Sequence, residues 1–64
     1  MFEFEGDVFN ASAVTAVARY QNEVRIYVYA DPDPFTYKRD SSEEAILLQD
    51  AAVKAWKAAF SPAQ

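Results

Sequence analysis

The residues best suited to chemistry lie in one alternating segment, residues 24–30. Its odd-numbered positions are Arg25, Tyr27 and Tyr29, whereas its even-numbered positions are aliphatic. Alternation with a period of two is typical of a β-strand with two different sides. Tyrosine rings can stack on planar groups, and an arginine can hold a carboxylate or a phosphate through two parallel hydrogen bonds. The odd-numbered side of this strand is therefore a candidate binding face.

Neighbouring strands could extend this face, depending on their register. The preceding strand could add Arg19, and the following one could add either Lys38 or the pair Tyr37 and Arg39. Three interpretations stay open: a solvated sheet face whose tyrosine–arginine pairs only stabilise it, a protein or subunit interface, and a ligand site. The candidate face comprises Arg19, Arg25, Tyr27, Tyr29, Tyr37 and Arg39.

A second candidate lies on one flank of the predicted C-terminal helix. Val53, Trp56 and Phe60 fall off to one side of the face that should meet the sheet. Large aromatic side chains near a chain end can close the core of a small domain, and they are also typical anchors of interfaces. This flank is therefore either core or a contact with another subunit or partner.

The segment Asp31-Pro32-Asp33-Pro34 presents two carboxylates on a stiff loop. Calcium prefers many oxygen ligands from a loop that can wrap around it, and alternating prolines oppose such wrapping. We interpret the segment as a solvated turn and expect no metal site.

Composition excludes several kinds of catalysis. The chain has no histidine and no cysteine, which removes zinc fingers and imidazole- or thiolate-based nucleophiles. Its single glycine, Gly6, is too few for a phosphate-cradling loop. Nothing in the spacing of the carboxylates or tyrosines indicates a catalytic cleft. We expect no enzyme activity, no catalytic residue and no cofactor.

Size and charge set the remaining limits. Sixty-four residues, 52% of them hydrophobic, correspond to one small domain that can complete its core by oligomerising. A net charge of −4 disfavours binding to the backbone of a nucleic acid. No apolar run is long enough to cross a membrane and no signal peptide is recognisable, so we expect a soluble, cytoplasmic protein.

Hydrophobic patterning predicts the elements that position these residues. We expect an α+β domain in which an antiparallel sheet of three to four strands carries one C-terminal helix on one face. A hairpin turn is expected at Gly6-Asp7, and Ser41 with Glu44 should cap the helix. The predicted strands span about residues 2–5, 8–10, 14–20, 23–30 and 35–39, and the helix spans about 42–60.

The helix should place its small side chains against the sheet. Leu48, Ala52, Ala55 and Ala59 share the side that would meet the aliphatic face of the 23–30 strand. The apolar arc of this helix is wider than one sheet contact requires, which predicts self-association.

Three segments together resemble those of short bacterial and phage proteins: residues 10–17, residues 24–27 and the Ser-x-x-Glu start of a helix at residues 41–45. In such proteins a strand that begins near an asparagine is followed by a hairpin, a further strand and one capped helix. The resemblance implies a phage accessory or host-interaction protein, which would act in the host cytoplasm. It implies no catalytic residue.

The leading functional hypothesis from the sequence is a non-catalytic protein that binds and inhibits a host factor. The alternatives are an oligomer that sequesters a small anionic, nucleotide-like ligand, and a purely structural oligomer-forming domain. Partners are therefore expected to be a protein or a second copy of the chain, with a small anion as the other option.

Overall fold

The computed structural model describes residues 1–60 and confirms the α+β fold. A two-stranded and a three-stranded antiparallel sheet share one C-terminal helix. In the larger sheet the strand order is β3-β4-β5, so β4 is central and β3 and β5 are edges. In chain order the elements are β1 (Phe2–Phe4), β2 (Asp7–Phe9), a 3₁₀ turn (Ala11–Ala13), β3 (Val14–Tyr20), β4 (Glu23–Val28), β5 (Phe35–Lys38) and α1 (Ser42–Phe60).

The first hairpin turns one residue earlier than predicted. Phe4 pairs with Asp7, so the two turn residues are Glu5 and Gly6, with φ angles of 53° and 84°. Two consecutive positive φ angles define a type I′ turn, in which glycine is favoured at the second position. This register stacks Phe2 on Phe9, with ring centroids 5.4 Å apart. The predicted turn at Gly6-Asp7 is therefore wrong, and Asp7 belongs to β2.

A bulge in β3 explains why its hydrophobic alternation is weak in the sequence. Val14 pairs with Val28, but Ala16 pairs with Tyr27, so Thr15 is an extra residue on the β3 side. An extra residue shifts the alternation of every side chain that follows it. Val14 is buried and Val17 packs against the core, although an unbroken strand would point them to opposite faces.

The core is centred on β4. Val24 and Ile26 are completely buried, as are Ala45 and Ala52 of the helix. The small alanine side chains let the helix approach the sheet closely, so the predicted contact between the aliphatic side of this strand and the alanine side of the helix is confirmed. Leu48 completes the buried part of the helix.

Two predictions fail at the C-terminal ends of their elements: the buried side of the helix is shorter than expected, and β4 ends earlier than expected. Ala55 is half-buried and Ala59 is exposed, so the buried line covers only the first two-thirds of the helix. Strand β4 ends at Val28, two residues early, because Asp31 donates its backbone N–H to the Val28 carbonyl at 3.1 Å. The other predicted strand limits differ from the observed ones by one residue at most.

The helix begins with the predicted cap. The Glu44 N–H donates to the Ser41 hydroxyl at 3.2 Å, and the Glu44 carboxylate accepts from the Asp40 N–H at 3.2 Å. The first bond satisfies a backbone donor that a helix start otherwise leaves open, and the second ties the residue before the cap to the first turn. The carboxylate reaches one residue further back than in the usual capping box.

We expect Ala52→Leu to lower the free energy of unfolding by about 1–3 kcal/mol, because extra methylene groups do not fit between the helix and β4. Ala51→Leu is the matched control: Ala51 is the preceding residue of the same helix and is exposed. This control should change the stability by less than about 0.5 kcal/mol. Urea denaturation of both variants measures the difference, and equal destabilisation would contradict the buried position of Ala52.

Candidate functional site

The register of the larger sheet defines which side chains share the face opposite the helix. Arg25 lies between Ala18 and Thr36 on the neighbouring strands. Directly paired residues point to the same side, and the adjacent pair of Val24 with Tyr37 points to the core. The outer sheet face therefore consists of Ala16, Ala18, Tyr20, Glu23, Arg25, Tyr27, Thr36 and Lys38.

Arg25 is held at the centre of the outer sheet face by two neighbours. Its Nε donates to the Glu23 carboxylate at 2.5 Å, and its guanidinium carbon lies 5.0 Å from the centroid of the Tyr20 ring. Arginine stacks well on tyrosine because its cation is planar and weakly hydrated. The two contacts hold the guanidinium against the sheet between Tyr20 and Glu23.

The contact with Glu23 also favours the charged form of Arg25. The hydrogen bond to Glu23 is the main cause that raises the pKa of Arg25 above its usual value, and the neighbouring Tyr27 adds to it. The outer sheet face thus carries a permanent cation framed by one carboxylate and two tyrosines. This arrangement suits contact with planar, polar or acidic groups.

Arg19 does not belong to this face. It pairs with Val24, whose side chain points to the core side of the sheet, so Arg19 lies on that side at the exposed margin. Its Nη1 donates to the Gln21 carbonyl at 2.9 Å. The bulge at Thr15 is the cause, because it shifts the alternation of the rest of β3.

Tyr29 lies beyond the end of β4 and is 77% exposed in the turn that follows. Its backbone N–H donates to the Ala13 carbonyl at 2.7 Å. The alternation seen in the sequence therefore continues for one tyrosine more than the strand does.

Tyr37 and Arg39 form a latch that holds the first hairpin to the larger sheet. The Tyr37 hydroxyl donates to the Asp7 carboxylate at 2.5 Å, and Arg39 Nη2 donates to the Glu5 carboxylate at 2.5 Å. The Phe4 ring meets the Tyr37 ring edge-on, with centroids 5.2 Å apart. The inclusion of Tyr37 in the candidate face is wrong, since its side chain is part of the packing on the helix side.

The helix flank divides between the core and the surface. Trp56 packs against the core, and its indole N–H donates to the Ala11 carbonyl at 2.9 Å. Phe60 is 53% exposed, and its ring centroid lies 6.1 Å from that of Trp56. Val53 is half-buried. Of the two interpretations of this flank, core therefore applies to Trp56, while Phe60 is open to contact.

Tyr20 also belongs to the outer sheet face, although the alternation of residues 24–30 does not reveal it. The turn-like pair Gln21-Asn22 joins β3 to β4, and a two-residue loop places Tyr20 directly opposite Glu23. Arg25 lies two positions after Glu23 on the same side of β4. It is therefore the diagonal neighbour of Tyr20 across the two strands, close enough for the side chains to touch. Assigning the hairpin register would have predicted this stack.

Neither known proteins nor the surface of residues 1–60 indicates a second candidate site for a ligand or a metal ion. Comparison with known proteins finds no matching family model, no matching curated protein and no matching solved structure. Within residues 1–60 there is no cavity and no group of three or more acidic residues arranged to hold a metal ion. The helix of the described chain is not long and apolar enough to cross a membrane.

We expect the Tyr37 latch to make stability fall at alkaline pH. Burial is the main cause that raises the pKa of Tyr37 above its usual value near 10, and the hydrogen bond to Asp7 is the second. Above about pH 10 the unfolded chain loses the phenolic proton while the folded chain keeps it, so the free energy of unfolding falls as pH rises. Tyr37→Phe should be less stable at pH 7 by about 1 kcal/mol and should show a shallower alkaline decline.

Urea denaturation between pH 7 and pH 11 measures both the stability difference at pH 7 and the slope of the alkaline decline. Tyr29→Phe is the control, because Tyr29 is exposed in a turn, and it should keep the alkaline decline of the wild type. An unchanged slope in Tyr37→Phe would show that the latch does not carry the pH dependence.

Proposed function

We propose that the protein is a non-catalytic interaction protein that binds a partner protein through the outer sheet face. The observation that carries this proposal is the fixed position of Arg25, which is stacked on Tyr20 and paired with Glu23. Tyrosine and arginine are the residue types most often responsible for binding energy in protein interfaces. Here they lie side by side on a solvent-facing sheet.

Preorganisation supports this interpretation. Ordering a flexible side chain on binding has an entropic cost, and a guanidinium already held in place avoids most of it. Ala16 and Ala18 lie beside Tyr27 and Arg25 on the adjacent strand. Their small side chains leave one side of each large residue open to a partner.

The chemistry of the face favours a protein over a free anion. The Glu23 carboxylate occupies the Nε side of the guanidinium, so a phosphate approaching Arg25 there would meet a negative charge or would have to displace it. A protein surface can satisfy the face without displacing Glu23, by stacking on the tyrosines and accepting from the outer N–H groups of Arg25. The nucleotide-binding alternative is disfavoured for this reason.

The resemblance to short bacterial and phage proteins suggests a more specific partner. This partner would be a host factor in the cytoplasm, and the bound protein would cover its active surface. Occlusion needs only a stable contact, so it is compatible with a surface that has no catalytic group. The proposal of binding through the outer sheet face does not depend on this more specific partner.

The test compares capture of a partner from the native cell by tagged wild-type protein and by single variants. We expect one protein to co-purify in a fixed ratio and to be lost at least about tenfold on Tyr27→Ala or Tyr20→Ala, since a hot-spot truncation costs well over 1.4 kcal/mol. The control is Leu47→Ala, which removes an exposed apolar side chain (71% exposed) from the helix. Circular dichroism would verify that all variants fold.

Two outcomes would contradict the proposal. A partner retained equally by Tyr27→Ala and by Leu47→Ala would place the binding surface elsewhere. A small molecule seen by native mass spectrometry, present in the wild type and lost on Arg25→Ala, would support ligand sequestration instead.

A further inference from the structure

Helix α1 carries an apolar line that its own sheet leaves uncovered. Ile46 is 48% exposed, Phe60 is 53% exposed, and Val53 lies midway between them. The three are spaced by seven residues, close to two helical turns, so they lie one above another along about 20 Å of helix. With Gln49 and Trp56 they form the lateral seam of the helix.

The lateral seam faces sideways, beyond the edge of the sheet. At 100° per residue it lies about a quarter turn from the buried line of Ala45, Leu48 and Ala52. The Gln49 amide donates to the Val17 carbonyl at 3.3 Å, which places the seam beside the edge strand β3. A helix that binds to this seam would therefore lie beside α1, in the same layer above the sheet.

The spacing of the lateral seam is that of a helix-pairing surface. Ile46, Val53 and Phe60 take one core position of a heptad, while Gln49 and Trp56 take the other. Hydrogen bonds hold the side chains of Gln49 and Trp56 in position: Gln49 donates to the Val17 carbonyl and Trp56 donates to the Ala11 carbonyl. The seam is thus an ordered surface with apolar residues at four of its five positions.

Charges next to the lateral seam identify the occupant as a second copy of the chain. Asp50 and Lys57 both follow core positions of the heptad and lie along the same border of the seam. In an antiparallel pair centred on Val53, Asp50 lies opposite Lys57 of the second copy, and Ile46 lies opposite Phe60 of the second copy. In a parallel pair the border residues of one helix would instead face the alanines that precede the core positions of the other, so neither Asp50 nor Lys57 would meet an opposite charge.

We propose that two copies of the protein associate through their lateral seams, with the two helices antiparallel and side by side. The two-fold axis passes close to Val53 and runs perpendicular to the sheet layer. The outer sheet faces of both copies then point in the same direction. The dimer presents two binding faces to one side, which would increase the avidity for a repetitive or dimeric partner.

The first test is the oligomeric state of the wild-type chain, measured by sedimentation equilibrium over a range of concentrations. We expect a dimer that Val53→Glu abolishes, because the substitution places a carboxylate on the two-fold axis. Leu47→Glu is the matched control, since Leu47 is exposed on a different side of the same helix and lies outside the seam. This variant should stay dimeric.

Charge exchange tests the antiparallel arrangement. Asp50→Lys alone and Lys57→Asp alone should each weaken the dimer, and the double variant should restore it, because opposite charges again face each other. A parallel pair predicts no such rescue. Asp50 also pairs with Lys54 of its own helix at 3.1 Å, so folding of each variant must be measured separately.

The absence of native cysteine allows a direct geometric test. Val53→Cys should form an intermolecular disulfide on mild oxidation. Ile46→Cys alone should not, because two copies of residue 46 would be about 20 Å apart. A mixture of Ile46→Cys and Phe60→Cys should form the mixed disulfide. A monomeric wild type, a dimer that survives Val53→Glu, or disulfide formation by Ile46→Cys alone would overturn the proposal.

Discussion

The structure depends on the burial of Val24 and Ile26 beneath the two alanines of the helix, Ala45 and Ala52. All four side chains are completely buried, and they lie where the central strand meets the helix. Removing a valine or isoleucine side chain from water stabilises a fold by about 1.5–3 kcal/mol each. Because β4 is central, this contact also fixes the strands on both sides of it through their backbone pairing.

Because the apolar side of β4 is buried, the residues that alternate with it must lie on the outer sheet face. A slip of one residue would bury Arg25 and Tyr27 and would expose Val24 and Ile26, at a cost that exceeds any gain on the outer sheet face. The tyrosine–arginine face is therefore a necessary consequence of the core. Its contacts, the half-buried ion pair of Arg25 with Glu23 and the stack on Tyr20, lie on the outer side of the sheet and are not part of the core. The residues of this face can consequently serve binding without serving the core, and a binding function would leave the core unaffected.

Local sequence patterns predict the central strand, the helix and its cap, but they do not predict the β3 bulge or the contacts of Tyr37. The alternation of residues 24–28, the helix limits and the Ser41 cap depend on neighbours in the chain, and each is predicted correctly. The position of Arg19 depends on the bulge at Thr15, which no turn residue or glycine marks. The role of Tyr37 depends on a hydrogen bond to Asp7, thirty residues away. Contacts over such distances are set by packing of the whole chain, so a local pattern cannot specify them. Of the candidate face, Arg25 and Tyr27 could be predicted. The removal of Arg19 and Tyr37 and the addition of Tyr20 required the register, and the removal of Tyr29 and Arg39 required the strand ends.

The register of β4 against the helix is most directly tested by nuclear Overhauser effects in the protein labelled at its methyl groups. The structure predicts effects between the methyl groups on the buried side of β4, Val24 and Ile26, and those on the buried side of the helix, Ala45 and Ala52, because all four belong to one core cluster. It also predicts effects between the Tyr20 ring and the Arg25 side chain, with none from the Tyr27 ring to the helix alanines. Effects from Tyr27 to Ala45 or Ala52 would show that the strand has slipped by one residue, and the outer sheet face as described would not exist.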